Sequence, residues 1–124
     1  MATKRIPAEQ GEAALADYLK EPRAVLDDLP RLAVAVRYSL QLLQHIAPGR
    51  SVEVRVPPWG AVQIIEGPQH GRGTPPAVVE ARPEIWLDLV TGRLDYETAL
   101  KQGQISASGL RTDLQGLLPL RGLG

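Results

Sequence analysis

Residues 86–109, WLDLVTGRLDYETALKQGQISASG, set glycines at 92, 103 and 109 into a stretch otherwise rich in leucine and helix formers. Where those glycines fall decides the fold. Pro83 belongs in the first turn of a helix whose Ile85, Trp86, Leu89 and Val90 face inward, and Gly92 falls where a left-handed C-terminal cap belongs. Asp95 is placed to cap a second short helix, with Tyr96, Ala99 and Leu100 facing in and Glu97 spaced to pair with Lys101. Gly103 ends that helix. QISAS then alternates Ile105 and Ala107 against serines, the mark of a short strand, and Gly109 turns the chain into a leucine-rich tail. Two helix stops and one strand exit account for the three glycines.

Outward from this segment the period changes twice. Residues 30–46, PRLAVAVRYSLQLLQHI, repeat apolar side chains at three- and four-residue steps and predict the strongest helix, stopped by Pro48 and Gly49. Residues 51–56, SVEVRV, alternate valines with charges, so one strand face is buried and the other wet. PPWG, 57–60, is a turn, and AVQIIE, 61–66, reads as a more buried strand. GPQHGRGTPP, 67–76, is a loop, and AVVEA, 77–81, a further strand. Ahead of all this, residues 7–20 start with proline and acids and end with Lys20, as a short helix does. The thin apolar stripe there predicts a peripheral cover. The reading divides the chain into a helical extension, 1–29, and one globular unit, 30–124.

The whole chain has 124 residues, one domain's worth, with fourteen basic and fourteen acidic residues and 44% apolar content. Basic residues scattered along a neutral chain do not build the stripe that tracks phosphates, so nucleic acid is not an expected partner. With no cysteine there are no disulfides and no thiolate chemistry. Glu9 and Glu12 stand where a signal peptide needs an apolar run, and LAVAV falls far short of a membrane span, so a cytoplasmic protein is expected.

The order of a helix ending at Gly92, an alanine-bearing helix ending at Gly103 and a strand ending at Gly109, carried by Trp86, Leu87, Leu89, Ala99 and Ile105, resembles the sterol carrier protein type 2 superfamily. VEVRVPP, IEGPQHGRGTPP and the glycine-punctuated tail are similar to its small actinobacterial branch of bacterial sterol carrier orthologues. The resemblance implies an α+β fold, a single domain with an about five-stranded mixed sheet and helices covering one face around an apolar tunnel. It also implies a non-enzymatic lipid carrier without a cofactor. The strand exit SGLRTD departs from the family's glycine followed by an acid, and phenylalanine is absent, which implies a narrower or differently shaped cavity.

On that reading the hydrophobic wall consists of Val36, Leu40, Leu43, Ile64, Trp86, Val90, Leu100, Leu114 and Leu117, holding an acyl or sterol-like molecule. A recognition loop would use Trp59, His70 and Arg72. HGRG looks chemical, but no nucleophile or second metal ligand stands at a useful spacing, and its glycines suit a hairpin loop. His45 fits helix capping by the dipole, the adjacent Asp27 and Asp28 read as solvated surface, and no metal is assigned. The alternative to a carrier is a protein-interaction module of the same fold with a closed or filled cavity, meeting a partner through PPWG and HGRGTPP. Transient membrane contact is compatible with either, and an independent enzyme ranks last.

Overall fold

In the computed structural model, which describes residues 5–67, 77–109, 114 and 116–120, each helix starts where local chemistry permits it. Helix α1 (Ala8–Lys20) follows Pro7 and carries Glu9 in its first turn and Lys20 in its last. Pro22 opens the short α2 (Pro22–Leu26). Helix α3 (Leu29–Ile46) starts at Asp28, whose carboxylate accepts from the Arg31 N–H at 3.3 Å, and it has Pro30 in its first turn. Asp28 and Asp27 also pair with Arg31 and Arg23 at 3.1 and 2.8 Å, so the acids read as solvated surface end one helix and start the next.

Helices α4 (Pro83–Thr91) and α5 (Tyr96–Lys101) lie where the sequence places them. Gly92 caps α4 at φ 84°, and the N–H groups of Arg93 and Leu94 donate back to the Asp88 carbonyl at 2.8 and 3.1 Å. A side chain at that φ is strained, which is why glycine closes this turn. Asp95 accepts from the Thr98 N–H at 3.2 Å, and Glu97 meets Lys101 at 3.1 Å. Gly103 and Gly109 also have positive φ, 72° and 94°.

Strands β1 (Val52–Val56), β2 (Gly60–Ile64), β3 (Ala77–Ala81) and β4 (Ile105–Ser108) form one mixed sheet in the order β2-β1-β3-β4. β1 pairs antiparallel with β2 and parallel with β3, while β3 pairs antiparallel with β4. These are the four strands read from the sequence. The fifth that the resemblance implies has no counterpart among the described residues. β2 is not the more buried strand expected: it lies at the sheet edge, and Ala61 and Gln63 are exposed. One pairing partner is enough to hold it, so its outer side is left to water.

Register puts Val52, Val54, Val56, Ile64, Val79, Ala81 and Ile105 on one buried face. Glu53, Arg55, Gln63, Glu80 and Ser106 fall on the opposite face by the two-residue period of a strand. The helices cover the buried face. Within that layer α1 sits deeper than its thin stripe suggests, because Leu15 and Tyr18 are each 1% exposed. Gly11 allows this approach: a Cβ there would overlap the Tyr38 ring of α3. The Tyr18 hydroxyl donates to Asp88 Oδ1 at 2.6 Å, and Asp88 meets Arg93 at 3.4 Å, tying α1 to the end of α4. Burial, and then the bond to Asp88, push the Tyr18 phenol up from its ordinary value.

Candidate functional site

Most of the side chains expected to wall a chamber meet between the sheet and the helices. Val36, Leu43, Ile64, Trp86, Val90 and Leu114 are 0% exposed and Leu40 is 2% exposed, all within one apolar cluster. Leu117 packs against that cluster, half-buried. Leu100 does not belong there. It is 42% exposed, because the short α5 turns only Tyr96 and Ala99 inward and two turns of helix cannot bury a third neighbouring face.

Polar groups within this layer are satisfied locally. Trp86 Nε1–H donates to Ser39 Oγ at 2.8 Å, and Ser39 Oγ–H donates to the Val36 carbonyl at 2.7 Å. The indole is therefore held by α3. Sequence reasoning did not pair these two residues; the signal available was a serine three positions after Val36 on the apolar side of a long helix.

The tail closes one end of the layer. Leu114 and Leu120 are buried, and the Leu120 N–H donates to the Val90 carbonyl at 3.0 Å. The N–H groups of Leu117 and Leu118 both donate to the Leu114 carbonyl, and residues 116 and 117 form a turn.

A second feature lies on the outside of the same helix. An open groove of about 640 Å³ runs between residues 5–6, the polar side of α3 and the edge strand β2. Trp59 borders it half-buried, with its carbonyl accepting from Arg37 Nε at 2.8 Å. Gln41 grips the backbone of Ile6 on both sides, accepting from its N–H at 2.9 Å and donating to its carbonyl at 3.0 Å. His70 and Arg72, the remainder of the expected recognition loop, lie outside the described residues. Among the described residues no three His, Asp or Glu side chains come together as a metal site would require, and no helix is long and apolar enough to cross a membrane.

No curated protein matches the chain. The family model described as bacterial SCP ortholog matches residues 28–120, from the α3 cap through the sheet, α4, α5 and the buried tail. With three quarters of its length inside that match, the chain belongs to this sterol carrier protein-like family.

Proposed function

We propose that the protein is a non-enzymatic binder of a hydrophobic small molecule, acyl or sterol-like, held between the sheet and its helices. The observation that carries this reading is the layer itself. Its side chains come from α3, α4, β2 and the tail, and the polar pair Trp86 with Ser39 inside it is already satisfied. A molecule entering there would meet hydrocarbon and no unpaired polar group from that pair. Mechanism is passive, with no covalent step. The tail would serve as the gate, since its turn is anchored to α4 through the Leu120 N–H.

Transferring about ten methylenes at ~0.8 kcal/mol each gives roughly 8 kcal/mol before association costs, so affinity is micromolar or weaker. Native mass spectrometry of protein purified without detergent, followed by titration with a fluorescent fatty acyl probe, tests the proposal. A retained hydrophobic mass or saturable binding lost on heat denaturation supports it. An empty protein that ignores the probe removes it.

One observation favours a second reading. Six of the proposed wall residues are fully shielded by their neighbours, which suits a sterol-carrier-type fold with a filled layer that serves as a protein-interaction module. A cytoplasmic setting suits both readings.

A further inference from the structure

Charge pairing divides the described arginines into two groups. Arg23, Arg31, Arg55, Arg82 and Arg93 each face a carboxylate at 2.8 to 3.5 Å. Arg5, Arg37 and Arg50 face none among the described residues, and all three border the groove beside β2, whose lining contains no Asp or Glu. Three arginines thus line one hollow of a chain with no net charge.

The same hollow borders an open strand edge. Gln44 Nε2–H donates to the Gln63 carbonyl at 3.3 Å, so that carbonyl points away from β1 and toward α3. In an antiparallel ladder the residue two positions back turns its peptide groups the same way, which gives Ala61 an outward N–H and C=O. Arg37 on the Trp59 carbonyl and Gln44 on the Gln63 carbonyl bracket this central peptide. Arg50 is held at the far end by a pinned turn. There Ile65, at φ 64°, donates its N–H to the Ala47 carbonyl and accepts from the Ser51 N–H and hydroxyl at 3.0 and 2.6 Å.

We propose that this groove is a docking site for an acidic peptide segment in extended conformation, which adds to the edge of β2 at Ala61 and Gln63 and places carboxylates on Arg5, Arg37 and Arg50. Charge complementarity selects the occupant. Three arginines and three glutamines line the hollow, and Leu40 at its base is already buried, so an acyl chain laid along it would gain little. An extended backbone, in contrast, matches both the exposed edge and the way Gln41 already holds Ile6. The site stands whether or not the inner layer takes a ligand, and it shares Trp59 and Gly60 with the PPWG turn of the second reading.

The probe is a fluorescein-labelled peptide of about eight residues alternating glutamate with valine, titrated by anisotropy with the whole chain. Saturable binding is expected, weakened roughly fivefold by Arg5→Ala or Arg50→Ala alone and more than ~20-fold by the pair, and weakened again by salt. Arg37→Ala also frees the Trp59 carbonyl, so the Arg5 and Arg50 variants carry the electrostatic arm. Hydrogen exchange at the Ala61 and Gln63 amides should slow when the peptide is bound. The proposal is overturned if a glutamine-for-glutamate peptide binds as tightly, if N-methylation of alternate peptide amides has no effect, or if those two protein amides stay unprotected. It is also overturned if phosphatidylglycerol vesicles bind through the same arginines while the peptide does not, or if the arginine variants change only self-association.

Discussion

Helix α3 presents two surfaces with opposite chemistry, and adjacent residues divide them. Val36, Ser39 and Leu43 face a dry layer in which every described polar atom among them has a partner, whereas Arg37, Gln41 and Gln44 face the groove and bond to backbone across a gap. The contrast separates stability from recognition. Burial and packing on the first side hold the fold together, while unpaired charge on the second adds little stability and remains available to a partner.

The largest effect should come from the dry side. Trp86→Ala removes the largest fully buried side chain and leaves Ser39 without its indole partner, so urea denaturation should show a loss of about 3–5 kcal/mol. A loss under about 1 kcal/mol would mean the layer is not packed around this residue. Leu114→Ala sharpens the boundary between core and gate. A tail that belongs to the core loses about 2–4 kcal/mol, and the cavity left behind should raise affinity for a fluorescent fatty acyl probe.

Tyr18→Phe comes next, at about 1–2 kcal/mol, because it removes the bond to Asp88 that ties α1 to α4. It also carries a pH signature. The phenol is pushed up in the folded protein, so its contribution is complete below the unfolded value near ~10 and declines as pH rises above it, where the unfolded chain ionises first. Denaturation between about pH 9 and 11 should show a shallower decline in the Phe variant, with Tyr38, also pushed up by burial, retaining part of the slope. Arg50→Ala marks the other pole of the comparison. Its melting should stay within about 0.5 kcal/mol of the parent while binding of the acidic peptide drops.

Features governed by neighbours along the chain were legible in advance. The period of α3, the cap at Gly92, Asp95 at the start of α5 and the Glu97 to Lys101 pair all depend on spacings of a few residues, and all appear as read. Features that depend on which surfaces meet were not. Leu100 has an apolar side chain and helical spacing, yet among the described residues it stays 42% exposed. AVQIIE looks buried by composition, but strand order puts β2 at the edge. Nothing local marks Gly11 as the point where Tyr38 needs room, so α1 looked peripheral. The gathering of Arg5, Arg37 and Arg50 links positions 45 residues apart in number, and scattered arginines in a neutral chain carried no signal of it.

By itself the amino-acid order determined most of the elements, many of their ends, the family resemblance and the apolar identity of the layer, because propensity, capping and hydrophobic period act within a turn or two of the backbone. Tertiary structure alone decided which face of each element would be covered, which strand would keep an open edge, and which charges would be left unpaired. Those outcomes depend on distances between residues remote in sequence, and such distances exist only once the sheet and helices have packed.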